Sequence, residues 1–249
     1  MTRHLVIIGG QRCGTTYLSS LLADHPQIAM ARPSPPEPKV FLSDEVLAGG
    51  REGYVAAWFS HAAGALVLGE KSTSYIERPD AISRVRTVLS EQGDPLILAQ
   101  VRDPVARAVS NWAFTSGFGL EERPLPVALS ENLAGPRNWD PSLTSVSPYA
   151  YLERGHYADW LRPWLDAFGD AVRVQTLEDL LAGEDTLAEL YGWLGVDASH
   201  RPAALGAPVN ASDASSHTLD AALTRRLREH FADHDAALAG LLGRRLPWS

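Results

Sequence analysis

The feature that most constrains this chain is a strand, a glycine turn and a helix start, all within its first two dozen residues. Leu5-Val6-Ile7-Ile8 is apolar and mostly β-branched, and it runs into Gly9-Gly10-Gln11-Arg12-Cys13-Gly14-Thr15-Thr16. Tyr17-Leu18-Ser19-Ser20-Leu21-Leu22 then has the composition of a helix. This arrangement cradles phosphate, because the loop amides point inward and the helix dipole adds partial positive charge at the same place. Gly9, Gly14 and Thr16 fit the G-x-x-x-x-G-K-[ST] template, but Thr15 stands where a nucleotide triphosphatase has its lysine. That lysine neutralises the β- and γ-phosphates, so the loop is poorly built for γ-phosphoryl transfer. A cation survives inside the loop as Arg12. The plain alternative is a tight turn with no ligand.

With 249 residues, 45% hydrophobic and 21% charged, the chain suits one globular α/β domain, read as spanning residues 1–249. No run approaches the ~18 apolar residues of a membrane span. The first residues lack the pattern of a signal peptide, so the expected location is cytoplasmic. One cysteine excludes an internal disulfide framework. A net charge of −8 argues against nucleic acid or another long polyanion as partner, but not against a small anion held by a local cluster. A homo-oligomer is left open. The eight histidines read as scattered, without paired metal spacing, so no metal is expected.

Further along, buried-strand patterns at Ala65–Gly69, Pro95–Val101 and Val172–Gln175, with a short one at Ile28–Ala31, alternate with helical ones. The helices are read at Glu52–Ala63, Pro79–Glu91, from Asp103-Pro104 onward, at His156–Phe168, as two short elements to Leu194, and at Leu219–Leu242. Such alternation predicts a parallel sheet with helices on both faces. The proline-rich stretch 32–39 must be a rigid loop and carries Glu37 and Lys39. Residues 116–147 lose periodicity and read as a lid or substrate loop. The aromatic stripe of His156–Phe168 reads as core, and Arg225, Arg226 and Arg228 as the solvated face of the last helix.

Arg12, Lys71 and Arg102 follow three separate predicted strand ends. Ligands of parallel sheets bind at that edge, so three cations there define an anion site. Ser110, two helical turns beyond Arg102, can add a hydroxyl.

These residues resemble a family, the sulfotransferases that use 3′-phosphoadenosine 5′-phosphosulfate (PAPS), with the heparan-sulfate-type enzymes and their bacterial relatives as the nearest branch. Gly10-Gln11-Arg12-Cys13-Gly14-Thr15-Thr16, with Tyr17 beyond it, resembles the 5′-phosphosulfate loop, and Arg102 to Trp112 resembles the 3′-phosphate motif. Glu37-Pro38-Lys39-Val40-Phe41 resembles the segment whose glutamate acts as base. Glu70 to Tyr75 resembles a Glu-Lys segment lining the active site, and Gly155-His156-Tyr157 a helix start beside the cofactor. The similarity runs from Leu5 to Leu194.

The resemblance implies a P-loop-like parallel sheet and in-line transfer of a sulfuryl group from PAPS, without metal, to a hydroxyl or amine. The acceptor would be a sugar, glycolipid or secondary metabolite, and adenosine 3′,5′-bisphosphate would be released. It assigns Glu37 as base, Arg12 and Lys71 to the developing charge, the loop to the 5′-phosphate, and Arg102 with Ser110 to the 3′-phosphate. Two departures stand out: Arg12 replaces a loop lysine, and Asn210–Thr218 carries no Lys or Arg to close the adenosine side. Segments 116–147 and 202–218 are the expected walls of the acceptor pocket. A P-loop small-molecule kinase and a catalytically silent nucleotide-binding module are the competing readings. A phosphatase built on Cys13 would want an arginine at position 19, which is serine.

Overall fold

The computed structural model describes residues 2–140, 142–206 and 218–249. Five strands form one parallel sheet: β1 (Arg3–Gly9), β2 (Ile28–Met30), β3 (Val67–Lys71), β4 (Leu96–Val101) and β5 (Val172–Thr176), ordered β2-β3-β1-β4-β5. All four pairings are parallel, so every connection crosses over through helix or loop. β1 is central. The chain builds to one side of it through β2 and β3, then crosses to the other side with β4. Ligands of such sheets bind in the crevice beside that reversal, at the strands' carboxyl ends.

The period-two alternation of β1 sorts its side chains between two cores. Leu5 and Ile7 meet α1 (Thr15–Asp24) and α8 (Glu184–Leu194) through Leu18, Leu21, Leu190 and Leu194. Val6 and Ile8 join a cluster that includes Val85 of α3 (Pro79–Leu89) and Leu161 and Trp164 of α6 (Tyr157–Phe168). The expected sheet, buried on both faces, is therefore present. A third cluster joins α4 (Pro104–Gly117), α5 (Leu125–Asn132) and α9 (Ala221–Leu242) through Ala108, Leu129, Leu227 and Phe231. Fully burying each such side chain contributes on the order of 1.5–3 kcal/mol. None of the helices among the described residues is long and apolar enough to cross a membrane.

Three expectations are corrected. The helix read at Glu52–Ala63 is α2 (Glu45–Trp58), broken at Gly50, whose φ of 53° and ψ of −159° leave the helical region. The break restarts the apolar periodicity, which is why the pattern was legible only beyond it. The segment 116–147 is not wholly irregular: α5 lies inside it, its buried Leu125, Ala128 and Leu129 forming a stripe too short to stand out among glycines and prolines. Short helices, α7 (Leu177–Ala182) and α8, do follow β5. Arg228 is not merely solvated surface: half-exposed, it grips both carboxylate oxygens of Asp103 at 2.8 and 2.6 Å. Most of the 202–218 segment, residues 207–217, lies outside the described residues.

Candidate active site

The glycine loop is fastened to β4 at both ends. The Gly10 amide donates to the Gln100 carbonyl at 2.6 Å, and the Gln100 side-chain amide donates to the Cys13 carbonyl at 2.5 Å. Gly14, in the left-handed region at φ 76°, caps α1, and a Cβ there would sit 2.7 Å from Leu177 Cδ1. Glycine at this position lets the helix start against the sheet, with its first-turn amides left without intrahelical acceptors. Cys13 is fully buried with Sγ 3.5 Å from the Tyr157 hydroxyl, and burial pushes its thiol up, so it is packed rather than reactive. The Tyr17 ring is likewise core, and its hydroxyl accepts from the Gly206 amide. Cys13 and Tyr17 can offer a ligand backbone only. Thr15 is buried, whereas Thr16 is exposed.

Arg12 leaves the loop toward α4. Its Nε donates to Ser110 Oγ at 3.2 Å, and its guanidinium lies 4.6 Å above the Phe114 ring. Arg102 donates to the Arg12 carbonyl at 3.3 Å. The positions Arg12, Arg102 and Ser110, far apart in sequence, thus meet. Burial lowers the Arg12 pKa, and the charges of Arg102 and Arg107 lower it further. Arg107 is fully buried, donates to the Tyr151 carbonyl, and keeps Nε and Nη1 without a partner. Arg102 Nε also has none. A buried guanidinium cluster with open donors is costly unless an anion completes it.

A second group meets at the end of β3. Lys71 Nζ lies 3.0 Å from Glu37 Oε1, and the Thr73 amide donates to Glu37 Oε2 at 3.0 Å while its hydroxyl reaches both oxygens. The charged pair Glu37 and Lys39 is therefore not ordinary solvated loop. The Lys39 amide donates to Ser72 Oγ, and its Nζ reaches Ser145 Oγ at 3.3 Å. Ser145, in turn, is 3.0 Å from Ser74 Oγ, so the 116–147 segment does reach over this edge. Beneath it, Glu70 is fully buried, and neither carboxylate oxygen has a donor in hydrogen-bonding geometry. Burial drives its pKa up to about 8, with the charge on Glu37 adding to this and the Tyr75 hydroxyl opposing it.

The loop touches both groups. Gln11 Nε2 donates to Ser74 Oγ at 3.5 Å, while Gln11 Oε1 accepts from Arg154 at 2.9 Å. Arg154, absent from the sequence reading, is 6% exposed, is bonded to Asn111 Oδ1 and is paired with Glu77 at 3.1 Å. Its partners come from three distant segments, and no local pattern signals it. Beside the loop a cavity of about 780 Å³ is lined by Thr16, Ser19, Ser34, Glu37, His61 and Lys71, among others. Among the described residues its lining comes from 16–37 and 61–71, and none comes from 116–140 or 142–147.

The histidine reading is also corrected. His156, His230 and His234 bring their ring nitrogens within 4.8 Å of one another. The last two are four residues apart on α9, one helical turn.

The fold is that of the sulfotransferases. Over 99% of this chain and 98% of the other, it superposes on a sulfotransferase from Alicyclobacillus acidocaldarius with a TM-score of 0.75 at 23% identity. A sulfotransferase domain from the curacin biosynthetic pathway superposes with a TM-score of 0.53 at 15% identity, over 99% of both chains. In sequence, the chain is 29% identical over 129 residues to the membrane-associated sulfotransferase kil1 of Dictyostelium discoideum, which is 51% of this chain and 26% of that protein. It is also 29% identical over 174 residues to a bifunctional heparan sulfate N-deacetylase/N-sulfotransferase 1 of Caenorhabditis briggsae, 66% of this chain and 19% of that protein. The chain thus spans only about a quarter and a fifth of the curated relatives it matches. No family model matches it. By fold and sequence together, the chain is similar to the sulfotransferases near the heparan-sulfate branch, as its motifs implied.

Proposed function

We propose that this chain transfers a sulfuryl group from PAPS to a hydroxyl, with an amine as the second choice, of a sugar, glycolipid or secondary-metabolite acceptor. The observation that carries this reading is the meeting of two groups at one sheet edge. Open-donor guanidiniums stand beside the glycine loop, and a carboxylate held by lysine and threonine stands across from them. The unpartnered nitrogens of Arg102 and Arg107 fit a nucleotide that carries a second phosphate, since a buried cation needs such a counter-charge.

Bound PAPS would supply the electrophilic sulfur and an anionic leaving group. The loop amides and Thr16 would hold the 5′-phosphate end, and Arg102 with Ser110 the 3′-phosphate. Arg12, directed to Ser110 and Phe114, sits on the 3′ side of this arrangement, which leaves Lys71 as the cation best placed beside the transferred group. Lys71 would steady charge growing on the sulfuryl oxygens. Glu37, its oxygens aimed by Thr73, would take the acceptor proton as attack proceeds. The cavity lined by Glu37 and Lys71 offers the acceptor a place at the reacting edge.

A kinase reading is less well supported. The carboxylate next to Arg102 is Asp103, which caps α4 through the Val105 amide and is gripped by Arg228. Calorimetric titration tests the proposal, comparing adenosine 3′,5′-bisphosphate with 5′-AMP and with magnesium-ATP. Preference for the bisphosphate supports it. Preference for magnesium-ATP would favour a kinase, and binding of none would favour a silent module.

A further inference from the structure

Three imidazoles gather where α9 crosses the start of α6. His156 caps α6, and His230 and His234 lie on successive turns of α9. His156 Nε2 is 3.0 Å from His230 Nε2, and the His156 and His234 rings are stacked with centroids 3.6 Å apart. All three are half-buried, and Phe231 packs under them through edge contacts with His156 and His230.

We propose that His156, His230 and His234 form a binding site for one divalent transition ion of the zinc class. This site is separate from the sulfuryl-transfer reading and does not depend on it. Imidazole is a common ligand of such ions, and three rings leave a fourth position for water. Zinc–nitrogen bonds of about 2.0–2.1 Å put ligand nitrogens roughly 3.3 Å apart in a tetrahedron. The 3.0 Å approach of the two Nε2 atoms is close to that spacing. His234 completes the set by rotating out of its stack with His156, since parallel rings cannot both aim lone pairs at one point. Ligation uses each imidazole in its neutral form. Asp159 Oδ2 stands 3.8 Å from His234 Nδ1, placed to orient that ring while its Nε2 turns to the ion.

The ion acts as a staple. It ties the first turn of α6 to α9, the helix that also holds Asp103 through Arg228 at the start of the Arg102–Ser110 segment. A role in fixing these helices follows, distinct from any contact with substrate.

The test uses the full chain, stripped with chelator and then equilibrated with zinc chloride or cobalt chloride. The expected result is one ion per chain, a visible spectrum of four-coordinate cobalt(II), and a raised melting temperature. His234→Ala and, separately, His230→Ala should melt near the metal-free parent temperature while losing at least about tenfold in zinc affinity. Failure to take up a stoichiometric ion would overturn the proposal. So would uptake that both folded variants retain, which would place the ion on other histidines. Should one variant not fold, the other decides.

Discussion

Replacing Glu37 by glutamine separates chemistry from folding and from nucleotide binding. The wild-type carboxylate accepts from the Thr73 amide at 3.0 Å and from its hydroxyl at 3.0 and 3.1 Å, and it pairs with Lys71 at 3.0 Å. Glutamine keeps one acceptor oxygen for Thr73 and loses the ion pair. With side-chain exposures of 14% for Lys71 and 20% for Glu37, that pair is worth roughly 1 kcal/mol of stability. Loss of a general base costs about a hundredfold or more in rate, equivalent to about 2.7 kcal/mol of barrier. The catalytic effect therefore exceeds the structural one. The assay follows release of adenosine 3′,5′-bisphosphate with an acceptor that the parent turns over, beside calorimetric titration of the same nucleotide. Turnover should fall at least about a hundredfold with nucleotide affinity unchanged within about threefold. Near-normal turnover would refute the assignment of Glu37 as base. A parallel collapse of nucleotide affinity would show instead that Glu37 holds the loop.

Arg102→Ala should weaken binding of adenosine 3′,5′-bisphosphate by about tenfold to a hundredfold, the scale of lost charge-assisted hydrogen bonds, while sparing 5′-AMP; titration of both nucleotides checks this. Glu70, whose pKa is raised to about 8 from an ordinary 4.5, favours the folded state in its neutral form. Its contribution is complete below pH 4.5 and fades as pH rises to about 8, by up to ~1.4 kcal/mol per pH unit. Denaturant midpoints across that range should therefore fall less steeply with pH in Glu70→Gln than in the parent. Gly14→Ala puts an L residue at φ 76° and a Cβ 2.7 Å from Leu177. At about 1–2 kcal/mol for the left-handed conformation, the melting temperature should drop by roughly 2–8 °C on a thermal scan.

What the sequence determined by itself was local and periodic. β-branched runs followed by glycine or proline marked the strands and their ends, because burial on both faces demands continuous apolar stretches. The Gly9–Thr16 spacing and the Asp103-Pro104 start placed the phosphate-type loop and α4, since both are set by backbone requirements within a few residues. Arg12, Lys71 and Arg102 could be assigned to one edge because a parallel sheet puts all its strand ends there.

Only tertiary structure decided which side chains face each other across that edge. Arg12 turns to Ser110 and Phe114, Thr73 aims Glu37, Arg154 joins Gln11 to Asn111 and Glu77, and Ser145 reaches Lys39. Cys13 and Tyr17 belong to the motif, yet both are buried: Cys13 packs against Tyr157 of α6, and Tyr17 lies on the face of α1 that meets the sheet. Helix α5 was hidden because three buried apolar residues make too short a stripe to outweigh the surrounding turn signals. Sequence reasoning missed the one-turn spacing of His230 and His234, and His156 stands 74 residues away from His230. No local rule brings together residues separated by that much chain. The packing of α9 across α6 does.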